Sequence, residues 1–136
     1  MTRPAAGTVH HIELWVPDLP RATAEWSWLL EALGYLPFQS WSSGRSWRLG
    51  DTYLVIEQSP AMTAGEHDRK LPGLNHLAFY MPARRPASTH SLTTGKGNGW
   101  TLMFADTHPR AGGVDHYAAY LTNTDGYEVE LVAVTT

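Results

Sequence analysis

The sequence predicts an α+β fold of two βαβββ modules, and three observations point to it. The heptad His11-Ile12-Glu13-Leu14-Trp15-Val16-Pro17 returns 65 residues later, from position 11 to position 76, as His76-Leu77-Ala78-Phe79-Tyr80-Met81-Pro82. A repeat in so short a chain marks a duplicated supersecondary unit. Both heptads alternate apolar and polar residues, as half-buried strands do. The first is followed by an amphipathic helical stretch and then by short strand-like runs separated by turn residues.

In the first module, about 8–58, Val9 to Val16 reads as a strand with Ile12, Leu14 and Val16 on one face and His11, Glu13 and Trp15 on the other. Asp18 is placed to cap a helix, Pro20 falls in its first turn, and Ala22, Trp26, Leu29, Leu30 and Leu33 recur at helical spacing. Gly34 stands where a left-handed residue ends such a helix. Three strands follow, Phe38 to Trp41, Ser46 to Leu49 and Thr52 to Gln58, with Ser43-Gly44 and Gly50-Asp51 as turns. The stretch 59–73, with Pro60, Gly65, Pro72 and Gly73, reads as a linker.

The second module, about 74–136, opens with Leu74 to Met81 at the same parity: Leu77, Phe79 and Met81 core-facing, His76, Ala78 and Tyr80 opposite. A helix should come next, yet 83–98 carries Pro86, Gly95, Gly97 and many Ser and Thr, so it is expected to be short or irregular. Trp100 to Phe104, His116 to Leu121 and Tyr127 to Val134 read as strands, the last two joined by an Asn123-Thr124-Asp125-Gly126 hairpin turn.

Composition narrows the function. At 136 residues the chain has the size of one domain with one core. A net charge of −3 with scattered Lys and Arg offers nothing to nucleic acid or an acidic membrane surface. Without cysteine, disulfides and thiolate chemistry are out, and any metal must be held by His and carboxylates. No run approaches the roughly 20 apolar residues of a membrane span, and Met1 to Thr8 lacks a signal-peptide core, so a cytoplasmic protein is expected. Six Trp and six Tyr suggest aromatic lining beyond the core.

Parity gathers a donor set. Leu54 and Ile56 facing the helix send Tyr53, Val55 and Glu57 to the other side, and Val129 and Leu131 facing the core do the same for Glu128, Glu130 and Val132. His11 with Glu57, and His76 with Glu130, thus share the helix-free faces. Two His and two Glu would make a four-ligand N/O site for a divalent metal ion. His10 has the opposite parity and stays outside this set. Glu13, Trp15, Tyr53 and Tyr80 share these faces and are candidate substrate contacts, with Trp47 and Trp41 as candidates for an aromatic groove. Tyr120, ten residues before Glu130, should lie close to it across the hairpin.

The opening His11-Ile-Glu-Leu-Trp-Val-Pro-Asp-Leu-Pro-Arg-Ala, Leu33-Gly34-Tyr35, Leu74-Asn75-His76-Leu77-Ala78-Phe79, and the closing Tyr117-Ala-Ala-Tyr120-Leu-Thr-Asn-Thr-Asp125-Gly126-Tyr-Glu-Val-Glu130-Leu-Val together resemble the vicinal oxygen chelate superfamily. That superfamily includes glyoxalase I, fosfomycin-resistance enzymes, bleomycin-binding proteins and extradiol dioxygenases. The resemblance spans nearly the whole chain. It implies a curved-sheet cup around one divalent ion (Ni, Zn, Co, Mn or Fe), a homodimer in which the ligands of one site can come from one chain or from two, and a small-molecule substrate. Bacterial glyoxalase I carries a His, Glu, His, Glu set, which here corresponds to His11, Glu57, His76 and Glu130. Extradiol dioxygenases carry a tyrosine matching Tyr120.

Three readings follow, since one fold hosts several chemistries. With all four ligands, the expectation is a lyase or isomerase acting by proton transfer on a substrate chelated through vicinal oxygens, with Glu130 or Glu57 as base. With His11, His76 and Glu130 alone, the set matches that of a non-haem Fe(II) oxygenase cleaving a catechol, with Tyr120 as acid or hydrogen-bond donor. Without metal, the aromatic residues would suit a drug-binding resistance protein.

Overall fold

The computed structural model describes residues 3–63, 65–81, 98–113 and 118–133. Their order is β1 (His11–Trp15), α1 (Leu19–Ala32), β2 (Leu36–Trp41), β3 (Gly44–Leu49), β4 (Thr52–Glu57), β5 (Leu77–Tyr80), β6 (Thr101–Met103), β7 (Ala118–Thr122) and β8 (Glu128–Val132). The two sheets repeat one topology, β1-β4-β3-β2 and β5-β8-β7-β6. In each, the first strand pairs in parallel with the last, and the other neighbours are antiparallel. The chain divides into two compact units, Met1–Gly65 and Glu66–Thr136, and the boundary falls inside the 59–73 stretch.

In the first unit α1 begins where Asp18 Oδ1 accepts from the Arg21 amide at 3.1 Å. The Leu19 amide donates to Gln58 Oε1 at 2.8 Å, which ties the helix start to the end of β4. The helix ends in a Schellman motif: the Gly34 amide donates to the Glu31 carbonyl and the Tyr35 amide to the Leu30 carbonyl, with Gly34 at φ +100°. The periodic residues Ala22, Trp26, Leu29 and Leu30 are wholly buried, as is Ile56, and Leu14, Trp47 and Leu54 are nearly so. Each such aliphatic burial contributes roughly 1.5–3 kcal/mol, so the helix is held by its stripe and not by intrinsic propensity. β2 departs from regular pairing, its register on β3 shifting between Pro37 and Ser40.

In the second unit Val129 and Leu131 are fully buried beside Leu121 and Ala119, while Ala78 and Tyr80 lie exposed on the other side of β5. The alternation expected for both heptads is therefore present. The Asn123–Gly126 turn closes with the Asn123 amide donating to the Tyr127 carbonyl at 3.0 Å and the Tyr127 amide donating to Asn123 Oδ1 at 3.0 Å. Gly126 stands at φ +88°. The helix considered for 83–98 falls almost wholly outside the described residues, as do 116–117 and Val134 at the ends of two expected strands.

Candidate functional site

β5 and β8 lie side by side with Ala78 opposite Glu130, and β7 pairs with β8 so that Tyr120 is opposite Glu130 as well. His76, one residue before β5, reaches the same spot: its Nε2 is 3.1 Å from Glu130 Oε1. Its ring meets Tyr120 edge-on at 6.1 Å between centroids. His76 is about one-third exposed, whereas the Glu130 side chain is 8% exposed, so the carboxylate is the buried member. Tyr120 hydrogen-bonds Glu130; burial first, then the Glu130 charge and hydrogen bond and the Glu128 charge, raise its hydroxyl above the ordinary tyrosine range. It therefore stays a phenol and donates. His76, Glu130 and Tyr120 thus form one cluster, as parity and the hairpin anticipated.

The first unit arranges its pair differently. β1 and β4 run parallel with His11 opposite Tyr53 and Trp15 opposite Glu57. His11 and Glu57 share a face but sit four residues apart, roughly 13 Å along the sheet at about 3.3 Å per residue. The position that answers to Glu130 is Val55, opposite Glu13 as Glu130 is opposite Ala78. His11 instead stacks on Tyr53, 4.9 Å between centroids and 7° from parallel, with Phe38 5.2 Å from Tyr53 and Arg48 over Phe38.

The candidate substrate contacts separate. Trp15, 40% exposed, donates from Nε1 to Glu13 Oε2 at 2.7 Å, and Tyr80 is 78% exposed. Trp41 is half-buried, and its ring crowds Gly44. Trp47 pairs with Leu54 and is 2% exposed, and it lines a cleft of about 310 Å³ with Thr23, Pro37, Phe38 and Arg45. A cleft of about 280 Å³ beside β5 is lined by Ala78, Phe79, Tyr80 and Val132.

Two neighbours escaped the parity argument. Asn75 Oδ1 is 2.7 Å from His76 Nδ1, and His10 Nδ1 is 2.9 Å from His11 Nδ1. Strand alternation sends adjacent side chains to opposite faces, but both pairs sit at strand entries where that rule lapses. The repeat alone held the clue, since position 10 answers to 75 as 11 does to 76.

His76 and Glu130 offer an imidazole nitrogen and a carboxylate oxygen, the donor types of a hard or borderline divalent ion, so they fit as two of its ligands. Among the described residues no group of three or more His, Cys, Asp or Glu is gathered to hold a metal ion.

Residues 10–120 match the glyoxalase/bleomycin resistance protein/dioxygenase superfamily. The chain belongs to that superfamily. Its similarity is high to a candidate glyoxalase of known structure from Bacillus halodurans: 41% identity over 95% of this chain and 97% of that one, with a TM-score of 0.87. The uncharacterized protein YqjT of Bacillus subtilis (strain 168) is 42% identical over 92% of this chain and 98% of its own. The fosfomycin resistance protein FosX of Listeria monocytogenes, solved with Mn(II) and sulfate, shares the fold at a TM-score of 0.61 and 17% identity, covering 96% of this chain and 95% of FosX. The glyoxalase-like fold of two four-stranded sheets is thus that of the superfamily. No helix among the described residues is long and apolar enough to cross a membrane.

Proposed function

We propose that the protein is a divalent-metal-dependent lyase or isomerase of glyoxalase type, acting by proton transfer on a small substrate that chelates through vicinal oxygens. The observation that carries this reading is the 3.1 Å approach of His76 Nε2 to Glu130 Oε1, with the Tyr120 hydroxyl bonded to the same carboxylate. His76 and Glu130 would hold the ion, and His11, the repeat counterpart of His76, is the further nitrogen donor. A bound divalent ion would polarise the substrate oxygens and acidify the neighbouring C–H. Glu130, buried and hydrogen-bonded by Tyr120, would take that proton once loosened from the ion. Tyr120, held as a phenol, supplies a hydrogen bond to the carboxylate or to a developing oxyanion. Homodimers are part of this reading.

The proton-transfer chemistry needs no metal bond from Glu57, and a second reading shares the remaining donors. The place of Glu57 beside Trp15, four residues from the level of His11, favours a three-ligand set of His11, His76 and Glu130, which a non-haem Fe(II) extradiol dioxygenase also uses. The test is metal content and activity of H11A, E57Q, H76A and E130Q. Loss of bound metal in H11A, H76A and E130Q, with E57Q retaining it, is the expected pattern. Ring cleavage of a catechol by the iron-loaded protein would replace the isomerase by the dioxygenase. Failure of wild-type protein to bind Mn, Fe, Co, Ni or Zn, with tryptophan quenching by a planar drug, would overturn both in favour of a resistance protein.

A further inference from the structure

Polar contacts behind His76 form a path that leaves β8 and returns to it. Glu128, on β8 and 4% exposed, pairs with Arg69 at 3.2 Å between Oε1 and Nε. The Arg69 carbonyl accepts from Asn75 Nδ2 at 3.0 Å. Asn75 Oδ1 then meets His76 Nδ1 at 2.7 Å, and His76 Nε2 meets Glu130, back on β8, at 3.1 Å.

The donor inventory along this path settles the imidazole. A backbone carbonyl only accepts, so the Asn75 edge that faces Arg69 must be its NH2 and the edge that faces His76 must be its oxygen. An amide oxygen also only accepts, so His76 Nδ1 must carry a proton. In the neutral ring Nε2 is then the bare nitrogen, and it is the nitrogen aimed at Glu130. A bare Nε2 and a carboxylate oxygen facing each other at 3.1 Å suit a cation between them, a proton or a metal ion. The first unit builds a like contact from other chemistry. His10, at the repeat position of Asn75, lies 2.9 Å from His11 Nδ1, and a neutral imidazole can accept there.

We infer that Asn75 is a positioning residue that holds His76 with its proton on Nδ1, so that Nε2 presents its lone pair on the Glu130 side. The inference rests on the reading of His76 as a metal ligand, but tautomer and metal binding are measured separately. Long-range 1H–15N correlation of the His76 ring in metal-free protein should show the Nδ1–H form in the wild type. N75A should shift it towards the mixture of a free imidazole. N75D keeps an acceptor against Nδ1 and should retain the Nδ1–H form.

Titration with Co(II) should then show N75A binding about tenfold more weakly, the low end of outer-shell effects because Asn75 is exposed. N75D should bind within a few-fold of wild type. Far-UV circular dichroism establishes that each variant is folded, and N75D carries the test should N75A be misfolded: loss of the Nδ1–H form in folded N75D overturns the inference. An unchanged tautomer in N75A overturns it too, even if metal binds. A wild type that binds no Co(II) yet loses its Nδ1–H form in N75A overturns the metal reading and leaves the role of Asn75 standing.

Discussion

Replacing Gly126 by alanine tests how the hairpin supports the loop that carries His76. Gly126 sits at φ +88°, and a Cβ built on it would come 2.5 Å from the His67 carbonyl oxygen. That oxygen belongs to backbone that cannot swing aside: the His67 amide donates to the Asp125 carbonyl at 3.1 Å, its Nε2 is 2.9 Å from the Leu74 carbonyl, and its ring stacks on Tyr127 at 4.4 Å. Two costs therefore add. The left-handed conformation costs an alanine roughly 1–2 kcal/mol, and overcrowding a packed contact costs a further 1–3 kcal/mol or so. Gly34, at φ +100° with open space where a Cβ would go, carries only the first. G126A should accordingly lose about 2–5 kcal/mol in guanidinium unfolding against about 1–2 kcal/mol for G34A. Because His67 leads into Arg69 and Asn75, G126A and not G34A should also weaken metal binding. Equal destabilisation by the two variants would refute the claim that the loop is clamped onto the hairpin.

Further outcomes follow from the same packing. Burial and the neighbouring Asp125 charge push the Tyr127 hydroxyl up to about 12. The unfolded tyrosine loses its proton near 10 while the folded one keeps it, so the stabilisation is full below about 10 and drains away as pH climbs to about 12. Y127F should flatten the fall in unfolding midpoint over that alkaline window; an unchanged slope would count against the buried phenol. D18A removes the side-chain acceptor of the Arg21 amide and should cost about 1 kcal/mol in urea unfolding, with no effect on metal content.

Much of the fold was legible because hydrophobic alternation has a period of two and reports which face a side chain takes. The repeated heptads, the stripe of α1, the Gly34 stop and the Asn123–Gly126 turn are local signals, and local energetics decide them. Tyr120 could be set against Glu130 because a tight hairpin turn counts residues across two antiparallel strands. The same arithmetic does not work for β1 and β4, parallel strands joined by a helix and two further strands. Their register comes from how α1 and the bulged β2–β3 pair pack, and a slip of two residues keeps the face while moving a side chain roughly 7 Å. Parity therefore placed Glu57 on the right face, but only the tertiary structure set Val55 at the level of Glu130. Trp47 shows the complementary case, since aromatic content alone does not say how far a ring is buried, here to 2% exposure.

By itself the sequence determined the two-module architecture, the exclusion of thiolate chemistry, and the shared face of His76, Glu130 and Tyr120. Only the tertiary structure decided that His76 and Glu130 meet at 3.1 Å while His11 stacks on Tyr53, and that Asn75 reaches both the Arg69 carbonyl and the imidazole. The physical reason is range: periodicity is written residue by residue along the backbone, whereas register and the hydrogen-bond path behind a ligand depend on elements distant in the chain.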